Sequence, residues 1–264
     1  VSGRMGQRHG EEGIMYQFFV DPARISGGRV SISGGDFNHI KNVLRMKPGD
    51  EVSVFNGVDG REYRCGIEAF TEDEVLLSLR FIKEDGLELG AQVTLFQGLP
   101  KGDKMELIVQ KTVELGVHRI VPVATKRAVV KLDEKKAQAK TARWQGIAEA
   151  AAKQSRRGIV PQVERVCSFR EALAQAEGMD VRLMPYELSE GMDRTRQLIE
   201  SVRPAQKIAV FIGPEGGFEE AEVELARAAG FSPITLGRRI LRTETAGLTV
   251  MSWLMYRLEE GSIS

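Results

Sequence analysis

The chain has 264 residues, enough for one large domain or two modest ones. Its 42% hydrophobic and 28% charged content are ordinary for a soluble globular protein. Lys+Arg and Asp+Glu both number 37, a balance that excludes bulk-charge coating of nucleic acid but not a local basic patch. Residues 1–14, VSGRMGQRHGEEGI, carry little hydrophobic pattern and read as a disordered leader with an inert His9. No apolar run reaches the length of a membrane span and no secretory h-region is visible, so a cytoplasmic location is expected. Cys65 and Cys167 are isolated and lack metal-ligand spacing; they read as reduced, half-buried thiols, with no metal site expected.

From Met15 to Ile82 the pattern is short strands and turns. YQFFV, GRVSI, DEVSVFNG, REYRCGIEAF and EVLLSLRFI run between Gly, Asp and Asn punctuation, the spacing of a small barrel of the OB or PUA kind. One helix, roughly Gly35 to Arg45, interrupts them with His39, Ile40, Val43 and Leu44 at helical spacing, and Lys47-Pro48-Gly49-Asp50 ends it. His39 reads as a partly buried packing residue. Residues 83–91, KEDGLELGA, are polar and Gly-containing and read as a linker.

From Gln92 to residue 264 strands and helices alternate. Strands are expected at VTLFQG, RIVPVAT, 162–166, 181–185, 208–212 and PITLG. Helices are expected over 103–115, 134–155, 169–176, 192–201, 219–228 and 244–258. This rhythm predicts an α/β domain, a parallel sheet covered on both faces. Trp144, at helical spacing from Ile147 and Ala151, and His118, opening an apolar strand, read as structural. Lys104, Glu106, Lys111 and Glu114 read as an exposed helix face of charge pairs.

Two stretches carry the chemistry. IAVFIGPEGG at 208–217 is a buried strand opening into a loop whose glycines let a ligand approach the main chain. ITLGRRILRTETAGLTV at 234–250 repeats the plan: strand, Gly237, a basic loop, then Thr243 and Glu244 at the start of an apolar helix. Two such switches place one crevice at the C-terminal ends of a parallel sheet. Neither string is a Walker loop or GxGxxG, so a phosphate cradle is disfavoured. A third feature is electrostatic: residues 126–157 hold ten Lys/Arg against three Asp/Glu, an asymmetry that suggests a polyanion.

The strings IGPEGGF (212–218), LGRRILRTETAGL (236–248), KGDKMELIVQKTVELGV (101–117) and RWQGIAEAAAKQSRR (143–157) resemble the SPOUT superfamily of RNA methyltransferases. Within it, they resemble the 16S ribosomal RNA uridine-N3 methyltransferase (RsmE) family, over nearly everything from Met15 onward. The resemblance implies a SPOUT-type parallel sheet with a C-terminal trefoil knot, plus an N-terminal PUA-like RNA-binding β-barrel domain. It also implies S-adenosyl-L-methionine (SAM) held by the knot loops, 16S ribosomal RNA of the assembled small subunit as partner, and a homodimer; the apolar final helix (Leu248, Val250, Met251, Trp253, Leu254, Met255) is broad enough to be core on one side and interface on another. On that basis Ile212, Gly213, Pro214, Glu215, Gly216, Gly217, Leu236, Gly237, Ile240, Leu241, Thr245 and Ala246 are expected to bind the donor. Arg242 is the candidate to stabilise a uracil anion. Glu244 is the candidate proton acceptor, or else a cap of the last helix. Arg45, Lys47, Lys126, Arg127, Arg156, Arg157 and Arg239 are expected to contact RNA. One departure is Gln17, which stands where the family usually has an arginine before its first aromatic strand residues. A ribose 2′-O-methyltransferase and a non-catalytic RNA-binding assembly factor are the alternatives.

Overall fold

The structure, a computed structural model, describes residues 15–84, 87–187 and 191–259; the expected leader at 1–14 lies outside them. The chain forms two compact units that divide after Gly86.

In the first unit, β1 (Gln17–Phe19), β2 (Ile25–Ser26), β3 (Arg29–Ser33), β4 (Glu51–Phe55), β5 (Glu62–Phe70) and β6 (Glu74–Lys83) make one sheet in the order β1-β4-β5-β6-β3-β2. Only β1–β4 is parallel. Alternate residues, among them Phe18, Val30, Ile32, Val52, Val54, Cys65, Val75 and Leu77, bury one face, as period-two patterning requires. Register shifts at Arg64/Cys65 and Ile67/Ala69 mark bulges that bend β5. β1 and β2 end the order without pairing each other, so the described strands form a half-barrel rather than a closed barrel.

The helix of this unit is α1 (Gly34–Asn38), which continues as a π turn through His39–Val43. Only part of its expected face packs. Ile40 is fully buried and Leu44 partly so, whereas Val43 is 62% exposed. His39 is exposed too, with its ring edge-on to Phe18 at 6.5 Å, so it is a surface group rather than a packing histidine.

The second unit is built from β7 (Gln92–Gly98), α2 (Lys104–Glu114), β8 (Arg119–Ala124), α3 (Glu134–Gln154), β9 (Gln162–Val163), β10 (Cys167–Ser168), α4 (Phe169–Gln175), β11 (Val181–Pro185), α5 (Met192–Ser201), β12 (Lys207–Ile212), α6 (Glu220–Ala228), β13 (Ser232–Ile234) and α7 (Thr243–Glu259). The sheet order is β10-β8-β7-β12-β11-β13, with β9 also pairing β8, and every pairing is parallel. Two apolar clusters flank it. One holds Leu95, Ile108, Trp144, Val210 and Met251; the other holds Phe96, Val121, Phe169, Phe211 and Phe218. A sheet buried on both faces explains why its strands read as continuous apolar runs.

The ends of the expected 83–91 linker belong to the units themselves. Lys83 completes β6, and Ala91 is 5% exposed. Glu88 is clasped by Arg157. The Arg157 guanidinium is 3% exposed and ion-paired to Glu88, and it donates from Nη1 to the carbonyls of Val113 (3.0 Å) and Val117 (2.7 Å). Glu88 also accepts from the Ile159 N–H at 3.1 Å. Arg157 is therefore a structural clasp and not an RNA contact: its donors are spent inside the protein.

Candidate active site

The pocket lies where sheet order and glycine chemistry place it. β11, β12 and β13 end at one edge, and the segments that follow them enclose a cavity of about 440 Å³. That volume suits a nucleoside-sized ligand. Its wall includes Ile212 at the end of β12, Gly213, Pro214, Glu215 and Gly217 after it, and Leu236, Gly237 and Leu241 after β13, with Ala246 from α7. Gly217 (φ 66°) and Gly237 (φ 105°) hold left-handed backbone, and a Cβ at either would meet nothing. Glycine is needed there for conformation, and the space beside it stays open.

Two expected donor-site residues do not line the cavity. Gly216 is turned towards Arg127, whose Nη1 donates to the Gly216 carbonyl at 3.1 Å. Thr245 is exposed one turn below Thr249, which donates to its carbonyl at 2.8 Å. The threonine that belongs to the pocket is Thr243, 5% exposed. Its hydroxyl donates to the Gly213 carbonyl at 2.6 Å and accepts from the amide of buried Gln97 at 2.9 Å. β7 is thereby joined to both loops. The approach is close: a Cβ on Gly98 would stand 2.7 Å from Pro214 Cδ. Ile240, though at the cavity, is 88% exposed and caps the rim rather than filling a wall.

Arg238, Arg239 and Arg242 are exposed at the cavity, and their side chains have no hydrogen-bond or ion-pair partner among the described residues. Glu244 occupies the first turn of α7, where the helix dipole favours a carboxylate, but it does not line the cavity. Its Oε2 is buried behind Lys104, 3.4 Å from Nζ, with no hydrogen bond. As a direct proton acceptor Glu244 is withdrawn from the site.

Lys104 itself lines the cavity, so it is not part of a surface charge ladder. Glu106 instead pairs with Arg143 at 2.8 Å, and Lys111 with Glu114 at 2.8 Å. The Lys104 ammonium donates to Glu215 Oε1 at 2.9 Å, and chiefly for that reason holds its proton more tightly than usual. Burial opposes ionisation of Glu215. The Lys104 hydrogen bond and backbone N–H groups outweigh it, and the carboxyl lies below the usual range.

Arg45, Lys47, Lys126, Arg127 and Arg156 are all exposed. Lys126 is tethered at its backbone, its N–H donating to Glu222 at 2.9 Å. Arg45 and Arg156 carry left-handed backbone, φ 55° and 62°. Burial pushes the Cys65 and Cys167 thiols up to about 11. Sequence reasoning missed Lys104, Gln97 and Thr243, and also Pro185 and Tyr186, which line the cavity at the end of β11. A signal for the last pair existed, because β11 is a third apolar strand ending at the same edge.

Residues 87–255 match a family model for an RNA methyltransferase domain, and residues 32–80 match one for the PUA domain of RNA methyltransferases. The chain is 39% identical over 232 residues to ribosomal RNA small subunit methyltransferase E of Bacillus subtilis, covering 87% of this chain and 90% of the relative. It is 33% identical over 248 residues to the protein of that name from Synechocystis, covering 93% of this chain and 79% of the relative. Among solved structures, the Neisseria gonorrhoeae ribosomal RNA small subunit methyltransferase E bound to S-adenosyl methionine superposes with a TM-score of 0.74 at 32% identity, covering 90% of this chain and 95% of that one. A Legionella pneumophila structure in complex with SAM gives 0.75 at 31%, covering 91% and 96%.

Proposed function

We propose, for a chain that belongs to the ribosomal RNA small subunit methyltransferase E family, that it transfers a methyl group from SAM to N3 of a uridine in 16S ribosomal RNA. The observation that carries this reading is the cavity at the ends of β11–β13, with its open glycines, apolar wall and arginines unpaired among the described residues. The residues fit the donor. Ile212, Leu236, Leu241 and Ala246 offer apolar surface to a purine, and the loop backbones at 213–217 and 236–241 offer polar groups beside it. SAM supplies an activated methyl on a sulfonium.

The protein's part is to orient and to stabilise charge. Thr243 and Gln97 fix the Gly213 carbonyl, so the loop is set before a ligand arrives. Arg242, a guanidinium without a partner among the described residues, is the candidate to stabilise the uracil anion that forms as N3 releases its proton to solvent. Arg239 at the rim, with Arg45, Lys47, Lys126, Arg127 and Arg156 elsewhere on the surface, supplies phosphate contacts. A C-terminal trefoil knot belongs to the same proposal and rests on family membership.

A homodimer belongs to the same proposal. α7 buries Val250, Met251, Leu254 and Leu258 while leaving Trp253 and Met255 half-buried and Tyr256 71% exposed, a second face for a second copy. Sedimentation of the intact chain at twice the monomer mass supports it; a monomer at micromolar concentration refutes it.

The decisive assay uses labelled SAM and small ribosomal subunits that lack the modification, followed by nucleoside analysis. Label in N3-methyluridine, lost in Arg242→Ala by about 10²-fold or more, is expected. Label in a 2′-O-methylated nucleoside would keep the fold and overturn the acceptor.

A further inference from the structure

We propose that Lys104 is a positioning residue, a three-way latch that holds the 213–217 loop against the start of α7 and so keeps the donor pocket closed on that side. This rests on the donor-binding reading above. Its Nζ lies 2.9 Å from Glu215 Oε1 and 3.4 Å from Glu244 Oε2. One ammonium thus joins the first residue of α2, the loop after β12 and the first turn of α7. Lys104 and Glu215 are 111 residues apart in sequence. Backbone support converges on the same carboxylate, since the Lys101 N–H lies 3.1 and 3.3 Å from the two Glu215 oxygens.

Two carboxylates share this cation, and one of them has no substitute for it. Glu244 Oε2 is buried, without a hydrogen bond, and its side chain is 15% exposed. Remove the ammonium and two anions are left neighbouring each other, one of them with a buried oxygen, an arrangement that proteins relax by separating the charges. α7 is anchored by its buried face and Gly213 by Thr243, so the part left to shift is the loop from Glu215 onward. That loop is a wall of the cavity.

The latch differs from a simple charge effect in what it does to ligands of different charge. SAM carries a sulfonium, whereas its product, S-adenosylhomocysteine, is a neutral thioether. A lysine acting only by its field would repel the cationic ligand, so its loss would favour SAM over the product. A latch shapes a wall that both ligands use, and its loss weakens both in the same proportion.

The test is calorimetric titration of the full chain with SAM and with S-adenosylhomocysteine. In Lys104→Met both affinities are expected to fall by about tenfold, with their ratio unchanged, while Lys104→Arg returns them to within about threefold of wild type. The double variant Lys104→Met/Glu215→Gln is expected to be no weaker than Lys104→Met alone, because the repulsion is gone. Should Lys104→Met fail to fold, Glu215→Gln carries the same expectation: a fall for both ligands at constant ratio. Unchanged affinity, or a ratio shifted towards SAM, overturns the latch. Wild-type protein that binds neither ligand overturns the donor reading, and the latch with it, whereas binding that Lys104→Met leaves unchanged overturns the latch alone.

Discussion

Arg45 and Arg156 stand at helix ends in left-handed backbone. After α3 the geometry is a Schellman turn: the Arg156 N–H donates to Lys153 and the Arg157 N–H to Ala152. Glycine fits that position best, and an arginine there costs about 1 kcal/mol or more of backbone strain. The proposed phosphate contacts would give each of these exposed cations a use that sets off its strain. Arg45→Gly and Arg156→Gly are each expected to raise unfolding stability by up to about 1 kcal/mol, while RNA binding weakens and its salt slope falls by about one. Denaturant melts paired with RNA titrations at several salt concentrations check both halves. Cys65 and Cys167 lead to a second expectation. Since burial raises their thiols to about 11, neither should react with a maleimide at neutral pH until the chain unfolds. Rapid labelling of the native protein would contradict this.

At the scale of elements, the Arg157 clasp ties the carbonyls near the end of α2 to Glu88. Arg157→Leu leaves Glu88 without its counter-ion and is expected to cost about 3–5 kcal/mol in unfolding free energy. Gly98→Ala forces a Cβ onto Pro214 backbone and ring, and is expected to lower both melting temperature and SAM affinity. The same elements show how far sequence carries. Long apolar runs and 3.6-residue periods located the strands and helices of the second unit, because burial on fixed faces writes those periods into composition. The two-residue strands β2 and β10 leave no such period. Arg156 and Arg157 are alike in sequence and opposite in fate, since a single left-handed residue turns one outward and the other into the core. In RTETAG the two threonines are two helix positions apart, about 200° around the axis, so only the phase of α7 decides that Thr243 faces the pocket and Thr245 does not. Lys104 and Glu215 meet only through the fold.

For the whole molecule, the pH dependence of the pocket follows from the latch. Glu215 is depressed below its ordinary range, so its contribution is present above that range and lost as pH falls through the folded value. Lys104 is raised, so its contribution is complete below the ordinary lysine range and lost as pH rises through the folded value. The stability difference between wild type and Lys104→Met is therefore expected to be constant from about pH 5 to about pH 10 and to shrink outside that window. Melting curves across pH read it directly; a difference that changes near neutrality would contradict the assignment.

The placement of β12 sets the timing of assembly. β12 lies between β7 and β11, both of which precede it in the chain. During synthesis β7 and β11 emerge with unpaired backbone edges and must wait for residues 207–212 before the seam between them can close. The first unit has all its strand partners by Lys83. The second can pair β7 with β8 early, but neither of the two pairings made by β12 forms until its last third exists, so slow closure and exposure to wrong partners are concentrated in that interval. A nascent chain halted before Lys207 would hold a finished half-barrel attached to a sheet open at its middle, and translation speed through the 92–206 stretch would govern how long that seam stays open to strangers.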